Sequence, residues 1–245
     1  MMRWLALILL TAPLAWAQSS LDPRAAAMLT ELPPYGADIE LRYLSAQELS
    51  DESGNAHDGT ATGGVTLLNG VAKFDGTGYI DCGDIENSTT HLTVSTWICT
   101  TNKTALQAVC ARHTAFGNKR SFAFFLIGST GEFQINISSS GSLGTGLGTL
   151  NCGFDVCDGE WHQLGYTFEP YQSEMWIDGE QIDAIRYRTS NPGYLYGTPA
   201  PFSIGANDVD ATPGNYYNGK IGRTIVFSRT LSADEIMQLY LEGPY

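Results

Sequence analysis

The stretch Gly159-Glu160-Trp161-His162-Gln163-Leu164-Gly165-Tyr166-Thr167-Phe168, followed by Ser173-Glu174-Met175-Trp176-Ile177-Asp178-Gly179, decides the fold. In each half large residues recur at every second position, the period of a strand, and the 169–172 break with Pro170 supplies a turn. The two halves predict a β-hairpin. Asp178-Gly179 accepts positive φ, so the second strand turns straight into a third beginning near Glu180. The expected unit is a meander in the middle of an antiparallel sheet.

Further strands lie on both sides. Ile39, Leu41 and Tyr43 alternate with polar neighbours, and 71–74 and 79–82 flank Asp75-Gly76-Thr77-Gly78, a hairpin by turn chemistry. Leu92, Val94 and Ile98 share one face of a strand while Trp97 lies on the other, which predicts a strand covered on both sides. Segments 121–127 and 132–138 pair around Gly128-Ser129-Thr130-Gly131. The glycines at 141, 144, 146 and 148 lack the Gly-Lys-Ser/Thr ending and βαβ context of a phosphate loop, and read as a flexible edge segment. A terminal helix is announced by Ser232 as N-cap, Glu235 at N3 and a Leu231/Ile236 staple.

Gly-x-Trp-His at 159–162, Trp-Ile-Asp-Gly at 176–179, Lys73-Phe74-Asp75-Gly76-Thr77-Gly78-Tyr79-Ile80, Leu92 to Ile98, Phe202-Ser203-Ile204-Gly205 and the closing run from Tyr217 to Ser232 together resemble laminin-G-like, concanavalin-A-like domains. The resemblance covers 37–245. It implies an all-β, two-sheet antiparallel jelly-roll sandwich with a short C-terminal helix and with the first strand beside the last. It implies no single function, because this scaffold hosts lectins, enzymes and structural modules.

The formal net charge of −13 and the lack of a Lys/Arg cluster beyond Lys119-Arg120 and Arg186/Arg188 argue against a nucleic-acid partner. Residues 1–17 have a basic start at Arg3, an apolar run too short to span a bilayer and an Ala-Trp-Ala cleavage site, the pattern of a secretory signal peptide. The expected location is extracellular or periplasmic. Residues 18–36 read as a linker, and no later segment is apolar enough for a membrane helix. In an exported chain the five cysteines predict disulfides, Cys152–Cys157 across a short loop and Cys99–Cys110 between consecutive strands. Cys82 is then left over, either buried or paired with another chain.

The polar loop from Asp51 to Gly59 is rich in oxygen donors. In similar domains this loop contributes ligands to a structural calcium ion, which implies Asp51, Asn55 and Asp58 here, against a loop held by its own Asx-type hydrogen bonds. Where the family's closing strand usually carries acidic residues this chain has Gly222 and Arg223, and an arginine there could replace the ion's charge. Tyrosines in loops rich in glycine and proline present flat apolar faces with wet hydroxyls, which suits sugar rings. Arg186, Tyr187, Arg188, Tyr194 and Tyr196, with Asp208, Tyr216 and Tyr217 in the next loop, form the candidate ligand rim, against the alternative that the tyrosines cover the open end of the sandwich.

The Glu-x-Asp-x-x-Glu strand of retaining glucanases on this scaffold is absent, and no Gly-x-Ser-x-Gly elbow or Cys-His nucleophile pair is found. His162 reads as a packed or hydrogen-bonded strand residue. The leading expectation is an exported, non-catalytic module that recognises carbohydrate or another surface ligand. The alternatives are a structural or adhesive component of an extracellular assembly or virus particle, and a glycan-cleaving hydrolase or lyase.

Overall fold

The computed structural model describes residues 36–45, 48–144, 146–189 and 192–245. The expected leader at 1–17 and, but for Gly36, the linker at 18–36 lie outside the described residues. Two antiparallel sheets face each other. The first has nine strands: β1 (Ile39–Ser45), β2 (Glu48–Asp51), β4 (Val65–Leu68), β5 (Val71–Asp75), β7 (Leu92–Cys99), β12 (His162–Glu169), β13 (Gln172–Ile177), β14 (Glu180–Ile182) and β17 (Asn218–Phe227). The second has eight: β3 (Thr60–Thr62), β6 (Tyr79–Asp81), β8 (Gln107–Thr114), β9 (Lys119–Leu126), β10 (Glu132–Ser138), β11 (Leu147–Asp155), β15 (Ile185–Thr189) and β16 (Phe202–Ile204).

The first sheet runs β14-β13-β12-β7-β17-β1-β2, and the expected meander is its β12-β13-β14 edge. β17 lies against β7 on one side; on the other its first residues pair with β5 and its later ones with β1. First and last strands are thus neighbours. The second sheet runs β15-β11-β10-β9-β8-β16-β6-β3. Alternation puts Phe122, Phe124, Phe133, Ile135, Tyr166 and Phe168 between the sheets, all fully buried. Phe124 ties the layers together, meeting Phe133 at 4.9 Å and Tyr166 of the facing sheet edge-on at 6.5 Å between ring centroids.

β7 is buried on both faces, as Trp97 predicts. Its outer face is roofed by α1 (Ala233–Glu242), where Tyr240 stacks on Trp97 at 5.5 Å. The helix starts at the expected capping box: the Glu235 N–H donates to Ser232 Oγ, and the Ser232 N–H donates to Glu235 Oε2 at 2.8 Å. Its far end is fixed by the buried Arg223, which pairs with Glu40 at 2.8 Å and with Glu242.

Three expectations need correction. Segments 71–74 and 79–82 do not form a hairpin, because β5 joins the first sheet and β6 the second, so Asp75 to Gly78 is a corner between layers. The glycine run is partly a strand, with Gly148 paired to Ile137 and Thr189 inside β11. No disulfide is formed, although all five cysteines are described. β11 extends to Asp155 rather than ending in a loop, so Cys152 packs inward, with its sulfur accepting from the Phe133 N–H and donating to the Phe154 carbonyl. Cys157 donates to the Gly131 carbonyl, and burial pushes its thiol up to about 12. Cys99 ends β7 in register with the exposed Lys220, whereas Cys110 is in the other sheet and faces the core. Cys82 is a core residue too, out of reach of another chain.

His162 opens β12 between two carboxylates, with Nδ1 2.8 Å from Asp178 Oδ2 and Nε2 3.3 Å from Asp158 Oδ1. The Asp178 hydrogen bond, with the charges of Asp178 and Asp158, outweighs burial and raises the imidazole above its ordinary value. Asp178 holds the β13-β14 turn at φ 53° and also accepts from the Gln163 N–H at 2.8 Å. A raised folded-state pKa means stability that is full below about pH 6.5 and is lost as pH rises through the folded value. Urea titrations from pH 5 to 9 should show this loss, and Asp178→Asn, which keeps a residue tolerant of positive φ, should flatten it. Ser232→Ala should lower stability by about 1 kcal/mol, read as a lower urea midpoint at unchanged slope.

Candidate carbohydrate-binding groove

The inward set Phe133, Ile135 and Ile137 forces Glu132, Gln134 and Asn136 of β10 onto the outer face of the eight-stranded sheet. On β11 the register sets Asn151 opposite Gln134 and Thr149 opposite Asn136. The five polar side chains form a ladder. Gln134 Nε2 donates to Asn151 Oδ1 at 2.9 Å, Asn151 Nδ2 to Glu132 Oε2 at 3.1 Å, and Thr149 Oγ1 to Asn136 Oδ1 at 3.0 Å. Gln134 Oε1 and Asn136 Nδ2 have no partner among the described residues, so the ladder offers one acceptor and one donor outward. Ile127 and Thr130 at one end and Leu143 and Leu147 at the other complete a groove of about 570 Å³. Among its described lining residues Glu132 is the one carboxylate and there is no cation.

This site combines fixed hydrogen-bonding amides with apolar walls, as sites for polyhydroxylated ligands do. No sequence motif announces it. The available signal was Glu132-x-Gln134-x-Asn136 alternating with core residues, opposite Thr149-x-Asn151.

The tyrosine loop borders one end of the groove. The Tyr196 N–H donates to the Ser138 carbonyl at 2.7 Å, and the ring packs so closely on Gly141 that a Cβ there would lie 2.9 Å from Cε1. Tyr196 therefore props the 139–144 turn that carries Leu143. Tyr194 is 56% exposed beyond it. Tyr171, which sequence analysis did not single out, is 76% exposed at the β12-β13 turn and holds φ 66°, a conformation costly for a bulky residue. A Cβ on Gly193 would lie 2.8 Å from the Tyr171 ring, so Tyr171 and the tyrosine loop share this end of the sandwich.

The other rim candidates divide. Arg186, Tyr187 and Arg188 belong to β15, whose backbone pairs with β11 beside the groove; their side chains lie outside the described residues. Tyr216 is half-buried. Tyr217 is 0% exposed, edge-on to Phe74 at 5.8 Å, with its hydroxyl donating to the Lys220 carbonyl. It is a core residue, and burial raises its hydroxyl well above the ordinary range. Asp208 is turned inward to the β8-β9 hairpin, accepting from the Ala115 N–H and from Asn207 Nδ2 at 2.7 Å. Burial opposes its ionisation, but His113 and the Ala115 N–H outweigh that and hold its carboxyl below the usual range.

The 51–58 loop is held by its own donors. Asp51 accepts from the N–H groups of Glu40, Ser53 and His57 and from Ser53 Oγ, all between 2.8 and 3.0 Å. Asp58 Oδ1 accepts from the Asp51 N–H at 2.9 Å, and Asn55 turns Nδ2 to the carbonyls of Ala37 and Asp38. Both Asp51 oxygens face N–H and O–H hydrogens, whereas a calcium ion needs bare oxygens converging on it. Arg223 does not substitute for the ion, since its guanidinium is spent on Glu40 and Glu242. Among the described residues no group of three His, Cys, Asp or Glu side chains could hold a metal. No described helix is long and apolar enough to cross a membrane.

Comparisons with known proteins agree with this architecture. No curated protein matches the chain in sequence. Domain 4 of AbnA, an extracellular arabinanase from Geobacillus stearothermophilus solved with arabinotriose, superposes with a TM-score of 0.62 at 17% identity, over 83% of this chain and 98% of that one. The ligand-binding domain of botulinum neurotoxin serotype D, solved with N-acetylneuraminic acid, gives 0.61 at 16% identity, over 89% of this chain and 53% of that one. The type G receptor-binding domain gives 0.60 at 12% identity over 84% of this chain, which spans about half of either neurotoxin domain. At these identities the likeness is one of fold. The family model described as the concanavalin A-like lectin/glucanases superfamily, of laminin-G type, matches residues 74–237, most of the chain, and the chain belongs to that family.

Proposed function

We propose that this domain is an exported, non-catalytic carbohydrate-binding module and that its outer groove takes a neutral glycan. The observation that carries the reading is the Glu132-Gln134-Asn136/Thr149-Asn151 ladder, whose amides are held in place by one another and still present a donor and an acceptor to solvent. A sugar hydroxyl both gives and accepts a hydrogen bond, and Ile127, Leu143 and Leu147 supply apolar contact for the faces of its ring. Tyr196 acts on this site through the 139–144 turn. That the arabinanase domain was solved with arabinotriose and the serotype D domain with N-acetylneuraminic acid supports a glycan as the ligand class. Cleavage is not part of the reading, because among the described lining residues Glu132 has no second carboxylate of the kind glycoside hydrolysis uses. The signal-peptide pattern at 1–17 supports an extracellular or periplasmic setting.

Calorimetry against neutral oligosaccharides, arabinotriose among them, tests this. Wild type should bind saturably, and Gln134→Ala with Asn136→Ala should weaken binding about tenfold, one or two hydrogen bonds' worth, with the melting temperature little changed. Tyr194→Ala should cost less, and chelator should change neither affinity nor stability. Loss of polymer length on incubation, or equal affinity of the groove variant and wild type, contradicts the reading.

A further inference from the structure

The outer face of the nine-stranded sheet carries a second feature. Lys73 on β5 and Lys220 on β17 are Cα partners, directly opposite each other and both exposed. Like charges placed so repel, and a chain with only 13 lysines and arginines against 26 acidic residues could easily have avoided the pairing. Neither ammonium has a partner among the described residues. Every other lysine or arginine whose side chain is described has one: Lys103 holds Asp155, Arg112 Asp84, Lys119 Asp210, Arg223 Glu40, Arg229 Glu235, and Arg120 reaches Asn118 and the Gly141 carbonyl. The two unpartnered cations are therefore cross-strand neighbours.

Two of the carboxylates nearby are otherwise engaged. Asp75, two positions further along β5, accepts from the N–H and hydroxyl of Thr77, and Asp158 is turned to His162 and to the Glu160 N–H. Beside the lysines lies a hollow of about 250 Å³, lined also by Thr101, Asn102 and Asn218. The Cys99 thiol at its edge is turned away, donating to the Gly159 carbonyl. Two ammonium groups flanked by neutral amides and hydroxyls suit one singly charged oxyanion. They do not suit a polyphosphate or nucleic acid, which the negative charge of the whole molecule repels. A carboxylate set between the ammoniums converts a repulsive contact into two charge-assisted hydrogen bonds.

We propose that Lys73 and Lys220 form an anion subsite for the carboxylate of an acidic sugar, a uronate within a glycan; this rests on the carbohydrate-binding reading but uses the opposite face of the sandwich. The test is calorimetry with a neutral-backbone trisaccharide bearing a single galacturonate, its methyl ester, free acetate and arabinotriose, on wild type, Lys73→Gln/Lys220→Gln and the groove variant. The trisaccharide should bind wild type more tightly than its ester or acetate, with affinity falling as salt rises. The lysine variant should lose about tenfold for the trisaccharide, keep wild-type affinity for arabinotriose and melt no lower than wild type, since repulsion is relieved. Equal trisaccharide affinity in wild type and lysine variant overturns the subsite, as does acetate binding as tightly as the trisaccharide. Arabinotriose binding without trisaccharide binding overturns the subsite and leaves the groove standing; failure of every glycan overturns both.

Discussion

The contact of Phe124 with Phe133 and Tyr166 is the interaction on which the rest depends, because it fixes the parity of β9, β10 and β12 at once. Strand parity has no intermediate setting: a slip of one residue would expose Phe133, Ile135 and Ile137 and bury Glu132, Gln134 and Asn136. Burying the first set is worth about 1.5–3 kcal/mol per side chain, while burying unpaired amides costs a comparable amount each. The core therefore decides which side chains line the groove. The register of β10 on β11 then decides that an amide meets an amide and a hydroxyl meets an amide.

The same logic explains how the outside of the sandwich is held. The outer face of β7 is closed by α1 through Trp97 and Tyr240, and Arg223 secures the far end of the helix from below. Arg112 does similar work across the second sheet, joining Asp84 and Asn87 to the Ala200 carbonyl, although burial lowers its pKa. Such buried, multiply bonded arginines gain little from charge attraction alone; their hydrogen bonds fix where long loops cross the sheets. Among the places those loops leave uncovered are the β10-β11 face, the Lys73/Lys220 corner and the β13-β14 edge.

Much of the fold was legible because its signals are local. The β12-β13-β14 meander, the doubly covered β7 and the Ser232 capping box each depend on residues a few positions apart. Features decided by distant partners were not. Asp75 to Gly78 has hairpin chemistry, but β5 is claimed by β17 and β6 by β16, so the turn became a corner. Tyr216 and Tyr217 are adjacent, hence on opposite sides of the chain, and Phe74 takes the second into the core. Asp51 and Asn55 have the composition of an ion loop, yet Glu40 and Asp38, over ten residues away, complete their hydrogen bonding. The groove was missed because Gln, Asn and Thr carry no motif; they become a site only when two strands align them.

The most direct measurement is a ¹⁵N spectrum of the side-chain amides recorded during titration with arabinotriose. Those of Gln134, Asn136 and Asn151 report on the ladder itself rather than on stability. The account predicts saturable shifts in these three, with smaller ones at the 139–144 turn. Saturable shifts confined to other parts of the surface, with the three ladder amides unmoved, would contradict it.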